Sequence, residues 1–309
     1  MELRQLAVLR ELGERGSVTA VARALHISSS AVSQQLSTLQ RRAGVPLTEK
    51  RGRVLGLTPA GAALALAAAD VSTAMARADE AVARFQHDAS LPVTVSAFHS
   101  AGLAWFGPLL NRLHEIGGPT VGCGDEDVPR ERFPVLVADY DLVIAHRVPH
   151  DPVWPNTVAV TPLLFEPLDV AVPIGHPLAG RASVSIDDIR HEPWVTGHIG
   201  FPLAEAVNMV AAAAGQPLRI VHRINEFFVA ASIVATGAAI ALLPRYTMAP
   251  RAGDGVVLVP FRDLPVGRRI DVLSRPETLA RASVRRVLAE LVGVVGQRSL
   301  TQADSSKPA

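Results

Sequence analysis

The chain has 309 residues, 49% of them hydrophobic and 19% charged, with a formal net charge of +1 and a single cysteine. This is the balance of a globular protein of two or three domains, and it excludes a disulfide-stapled scaffold or a zinc site built on several thiolates. No apolar run reaches the roughly 18–20 residues of a bilayer span, and the N-terminus is charged from Glu2 onward, unlike a signal peptide. The expected location is the cytoplasm, with no membrane partner.

Charge is unevenly spread along the chain. Residues 1–58 hold nine Lys/Arg against four Glu, a net +5, which leaves −4 for the remainder. A basic module on an acidic body points to a polyanionic partner for that module.

Leu3, Leu6, Leu9 and Leu12 recur every three residues and predict a first helix ended by Gly13 and Gly16. Ser17 then caps a second helix whose inner face is Val18, Val21, Ala22 and Leu25. Ser28 caps a third from Ser29 to Ala43, with Val32, Leu36, Leu39 and Ala43 as its buried stripe and Ile27 and Val32 as a hydrophobic staple. The opposite face presents Ser30, Gln34, Ser37 and Arg41, with Ser33 and Thr38 on its flanks and Ser29 at the helix start as a further candidate contact. A merely solvated face favours Glu and Lys, which support helix. Ser, Thr and Gln are poorer helix formers suited to hydrogen-bonding bases and phosphates. Three such helices make a helix-turn-helix core with the third as reader of double-stranded DNA. Pro46 to Thr58 alternates as a two-stranded wing, with Arg51 and Arg53 near its tip to approach phosphate or the minor groove.

From Pro59 to His87, Leu64, Ala68, Val71, Met75, Ala78, Val82 and Phe85 follow alternating four- and three-residue steps. That is a coiled-coil seam, and it predicts a long helix pairing two copies of the chain. After a hinge at Asp88–Pro92, strand-like runs alternate with helical ones. The strand candidates are residues 93–97, 142–145, 158–164, 168–172, 218–221, 239–243, 256–259 and 270–273. The helix candidates are 102–115, 186–191, 203–214, 226–236 and 278–295. Alternation of this kind predicts an α/β body with largely parallel strands, in which ligands sit at strand ends near helix N-termini. Residues 299–309 are polar and expected to be disordered.

The first sixty residues resemble the LysR-type transcriptional regulators. The resemblance rests on Glu2-Leu3-Arg4-Gln5-Leu6, Gly16-Ser17, Val21-Ala22, Leu25, Ser28, Ala31-Val32-Ser33, Leu36, Leu39, Gly44, Val45-Pro46-Leu47, Arg51 and Leu57-Thr58-Pro59-Ala60-Gly61, all in the family's order. Ser29-Ser30, Gln34, Thr48 and Lys50 depart from the usual pattern. In the body, Asp141–Ala145, Leu168–Pro173 with His176–Ala179, and Val234–Pro244 are similar to the family's effector domain.

The resemblance implies a winged helix-turn-helix (1–58), a dimerisation linker helix (59–88) and a two-lobed, periplasmic-binding-protein-like effector domain (92–297). Lobe I would be about 92–161 and 268–297, and lobe II about 162–267. It implies a sequence-specific transcriptional regulator, dimeric or tetrameric, controlled by a small-molecule effector between the lobes. Candidate effector contacts are Ser100, His146, Arg147, Thr196, Gly197, His198 and Phe227, and Arg147 with helix N-termini favours a small anion or amino acid.

The competing reading is a small-molecule-binding α/β protein of the cytoplasm whose N-terminal module serves dimerisation or protein contacts. An enzyme is not expected: no P-loop or nucleophile elbow is present, and Gly122-Cys123-Gly124 lacks the rest of a dinucleotide loop. No cofactor and no metal are expected either, since Pro149 and Pro152 keep His146 and His150 off one helical face.

Overall fold

A computed structural model describes residues 1–51, 54–86, 91–199, 201–250 and 253–305. The N-terminal module consists of α1 (Leu3–Arg15), α2 (Val18–Ala24), α3 (Ser29–Ala43) and an antiparallel wing of β1 (Thr48–Arg51) and β2 (Val54–Leu57). Ser17 and Ser28 cap α2 and α3 as expected, accepting from the amides of Ala20 and Ala31. α1 departs from its expected face. Gln5, Val8, Leu9 and Leu12 are buried while Leu3 is 52% exposed. A strict three-residue repeat slides around a 3.6-residue helix, so the true stripe is the i, i+3, i+4, i+7 set. α1 also runs through Gly13 and ends at Gly16, whose φ of +65° is the left-handed cap. Gly13 has a different role: a β-carbon there would lie 2.7 Å from the Leu57 side chain.

The wing is fastened to the third helix by one side chain. Gln40 Oε1 accepts from the Leu47 amide (2.9 Å), the Thr48 amide (3.0 Å) and the Thr48 hydroxyl (3.1 Å). Thr58 closes the other side, its hydroxyl donating to the Pro46 carbonyl and accepting from the Gly61 amide. A β-carbon on Gly61 would fall 1.9 Å from the Leu47 carbonyl oxygen, so this position admits glycine alone.

α4 (Pro59–Gln86) leaves the wing directly. Leu64 packs on the N-terminal core and Ala68 is buried, but Val71, Met75 and Val82 stand 38%, 46% and 58% exposed. The Phe85 side chain and the expected hinge residues Asp88, Ala89 and Ser90 lie outside the described residues. Contrary to expectation, the stretch Pro59–Val82 is long and apolar enough by length and composition to cross a bilayer. Asp70 is its lone charge before Arg77, and much of its apolarity is alanine.

The body begins with β3 (Val93–Ala97), α5 (His99–Glu115), β4 (Val121–Asp125), a 3-10 turn at Arg130–Arg132, α6 (Phe133–Leu136) and β5 (Leu142–Arg147). It continues with β6 (Ala159–Pro173), α7 (Ile186–Ile189), β7 (Pro193–Thr196), α8 (Pro202–Ala213), β8 (Arg219–Arg223), α9 (Phe227–Ala235) and β9 (Ala241–Pro244). β10 (Val256–Val259), β11 (Gly267–Ser274) and α10 (Ala282–Ser305) complete it. The main sheet has the order β10-β6-β11-β5-β3-β4, with β9 also on β6, and β7 pairs β8 separately.

Only β3–β4, β3–β5 and β7–β8 are parallel among the paired strands of the described residues. β11 runs antiparallel to both β5 and β6, and β9 and β10 run antiparallel to β6. The expected largely parallel sheet is therefore mixed, because the strands that carry the chain between lobes run out and back beside each other. Residues 158–164 and 168–172, expected as two strands, are the single strand β6. It changes partners between Pro167, registered on Gly267, and Leu168, registered on Pro244. The crossing thus lies several residues beyond 161.

One core gathers β3, β5, β11, α5 and α10; two more fill the other lobe around Trp194 and Val234. α10 continues to Ser305, so residues 299–305 are helical instead of leaving the fold, there being no Gly or Pro between Gln297 and Pro308 to stop it. We expect Gly61→Ala to destabilise the N-terminal module by about 1–3 kcal/mol, the range for forcing atoms into a filled site. Amide exchange at Leu47 and Thr58 would accelerate; exchange identical to the wild type would show that the close approach is not needed.

Candidate DNA-reading face and interlobe cleft

α3 turns its polar side outward. Val32, Leu36 and Leu39 are buried, whereas Ser29, Ser30, Ser33, Gln34, Ser37 and Arg41 are exposed and Thr38 is half-buried. Several of these groups hold one another: Ser33 Oγ donates to the Ser29 carbonyl (3.0 Å), and Arg41 donates to Thr38 Oγ1 (3.2 Å). β1 carries Arg51 at the wing end; its side chain, and Arg53 altogether, lie outside the described residues.

Between the lobes, three of the seven expected effector contacts meet around a residue the sequence did not single out. Arg268, on β11 and 2% exposed, donates to Ser100 Oγ (2.9 Å), Thr247 Oγ1 (2.9 Å) and Glu166 Oε2 (2.8 Å). Its guanidinium sits over the rings of Phe98 (4.6 Å) and Phe227 (5.3 Å). His146 lies against Phe98 and Phe133 in edge-on contacts. Ser100, His146 and Phe227 therefore line one cavity of about 30 Å³ with Arg268.

The other four lie elsewhere. Arg147 is held by Asp271 (3.3 Å), which also accepts from Trp154 Nε1 (2.7 Å), so its charge is already answered and it faces a separate depression beside Glu205. Thr196 is buried at the end of β7. Gly197 packs on the start of α8, and the His198 amide donates to Asn225 Oδ1 (2.8 Å).

Instead, the cleft mouth is lined by His99, Asp127 and Glu226, which the sequence reading missed. His99 Nδ1 faces Glu226 Oε1 at 2.7 Å and Nε2 faces Asp125 Oδ2 at 3.0 Å. Burial opposes charge on His99, but the hydrogen bond to Glu226 and the nearby carboxylates outweigh it and raise its pKa. Asp127 is raised too, first by the protein packed around its carboxyl and then by Glu226. The signal in the sequence was the pair His99-Ser100 directly after the first strand of the body.

His146 behaves oppositely. Burial, with the Arg268 charge in support, pushes it well below its ordinary 6.5. The unfolded chain therefore binds a proton as pH falls below about 6.5 that the folded protein refuses, and stability declines in that window. Denaturant midpoints at pH 7 and pH 5.5 should show His146→Leu losing less on acidification than wild type, by up to about 1.4 kcal/mol per pH unit. Equal losses would refute the assignment.

A family model described as a bacterial regulatory helix-turn-helix protein of the lysR family matches residues 3–62, and a LysR substrate binding domain matches residues 86–295. The transcriptional dual regulator GltC of Bacillus subtilis (strain 168) is 28% identical over 282 residues, covering 88% of this chain and 90% of its own. Full-length OxyR from Pseudomonas aeruginosa, solved as a cysteine-to-aspartate variant, shares the fold with a TM-score of 0.66 at 19% identity, over 96% of this chain and 94% of that one. Full-length CbnR complexed with its target DNA gives 0.50 at 23% identity, over 93% and 100%. Cys123, the single cysteine here, has its thiol pushed upward by burial, the opposite of a poised thiolate. On the two domain matches, which together span most of its length, the chain belongs to the lysR family of bacterial regulatory helix-turn-helix proteins.

Proposed function

We propose that α3 lies in the major groove of double-stranded DNA, with Ser29, Ser30, Ser33, Gln34, Ser37 and Thr38 reading base edges and nearby phosphates. Arg41, Arg51 and Arg53 supply charge to the backbone. As a lysR-family member the protein is a DNA-binding transcriptional regulator with an effector domain. The single observation that carries the residue-level reading is the exposed, hydroxyl- and amide-rich face of α3 opposite a fully buried stripe. α4 pairs two copies through Val71, Met75 and Val82, spacing two readers on successive half-sites, which is also why its apolar length belongs in a helix pair and not in a bilayer. We place the protein in the cytoplasm, as a non-enzyme that changes occupancy of DNA when its lobes close on a ligand.

Two variants separate the roles in a titration of mapped target DNA against random DNA at several salt concentrations. Gln34→Ala should weaken specific binding by roughly tenfold, about 1–3 kcal/mol, with little change on random DNA. Arg41→Ala should weaken both and reduce the salt slope by about one. Wild type binding its mapped target no better than random DNA would overturn the reading.

A further inference from the structure

The cleft mouth has a donor set that the regulator reading does not use. His99 stands at the first residue of α5 and Asp127 follows β4, both on the first lobe; Glu226 precedes α9 on the second. One ligand atom from each lies within 4.8 Å of the others, so a contraction of an ångström or so brings them around a common ion. We propose that His99, Asp127 and Glu226 bind a divalent transition-metal ion that bridges the two lobes. The proposal rests on the reading of this cleft as the effector site and names the chemistry of its ligand.

Four observations favour such an ion over an organic anion or amine. The cavity is small, about 30 Å³, with room for an ion and a water. Two carboxylates and an imidazole that gives up its added proton to make room for the ion carry −2, which matches a divalent charge, and an imidazole donor selects zinc, nickel or cobalt over magnesium or calcium. His99 is already oriented as a ligand: one ring nitrogen faces Glu226, and the other is positioned to donate to Asp125 at 3.0 Å, the carboxylate–histidine arrangement that fixes ligating imidazoles. The same cavity is also lined by His146, 4% exposed, whose Nδ1 meets no hydrogen-bond partner among the described residues. Arg268 lines the same cavity with its charge paired to Glu166. Closing both lobes on one metal would tie the start of α5 to the start of α9.

The test uses the untagged full-length chain, stripped with chelator and titrated with Zn²⁺ and Ni²⁺ by calorimetry, and with Co²⁺ by its visible spectrum. One equivalent should bind per chain. His99→Ala and Glu226→Gln should each lower affinity at least tenfold, Asp125→Asn by about tenfold through the orienting hydrogen bond, and His222→Ala, on the exposed strand β8, not at all. Asp127→Asn keeps the side chain's size and should abolish the Co²⁺ bands. Metal binding unchanged in these variants, or binding of spermidine without any metal binding, would overturn the proposal. DNA titrations on the same samples keep the two readings apart: specific DNA binding without cleft metal sinks only this inference, and cleft metal without specific DNA binding sinks only the regulator assignment.

Discussion

The structure depends on a buried ion pair placed where the chain passes between lobes. Glu166 is 0% exposed and Arg268 2%, and isolation of either in such surroundings is prohibitive. Each therefore has several partners. Glu166 accepts from the amides of Tyr246 and Thr247 and from Arg268, while Arg268 Nη2 also donates to Ser100 and Thr247. The pair need not add net stability over an apolar alternative, but removing one partner would strand the other at about 3–5 kcal/mol. What it specifies is position. β6, β11, the loop after β9 and the first turn of α5 all converge on it, so both lobes share one polar knot. Gly267 beside it completes the arrangement, because a β-carbon there would lie 2.4 Å from the Phe165 ring and 2.6 Å from the Glu166 carbonyl oxygen.

β11 extends the influence of that knot toward the DNA-binding module. Arg268 lies near its start and Arg275 just past its end, and Arg275 pairs with Glu11 and Glu14 of α1. Arg10 answers Glu277 at 2.6 Å, and Arg15 reaches Asp139 and the Ala138 carbonyl. Most of these side chains are less than a fifth exposed, so they are screened less than ordinary surface pairs, which contribute little. α1 in turn abuts β2 at Gly13. A single strand thus touches both the base of the cleft and the scaffold that carries the reader helix, giving lobe rearrangement a short mechanical route to α3.

What was legible in the sequence was local. Ser17 and Ser28 announce their helices because a side-chain oxygen three residues before an orphan amide is enough to start one. The buried stripe of α3 is legible because its spacing is tied to the helical period. The charge at the cleft was not legible, because its sign is decided by partners far along the chain. Arg147 is a free cation in the sequence and a neutralised one in the fold, where Asp271, 124 positions away, holds it. Arg268 reads as one of two ordinary strand arginines until Glu166, 102 positions away, buries beside it. The continuity of β6 was hidden in the same way. Glu166-Pro167 looks like a loop until the partners on both sides are known, and Pro167 is tolerated because it stands where the strand changes neighbours.

The exposed seam of α4 puts a bound on how two copies associate. Val71, Met75 and Val82 are already partly covered in one protomer, so burying what remains of each contributes about 1 kcal/mol, or roughly 6 kcal/mol for the six side chains of a pair. Association itself costs on the order of 4–15 kcal/mol in lost translational and rotational freedom. A seam of this composition, rich in alanine and short of leucine, sits at the lower edge of that range. Further apolar surface is present on α4 itself, where Leu66 is 37% exposed, and on the body, where Leu103, Leu110 and Val292 are 54%, 41% and 44% exposed on α5 and α10. Because α5 also carries His99 and Ser100 at its start, any contact made by its outer face would be felt at the cleft, so that assembly and ligand response would share one helix.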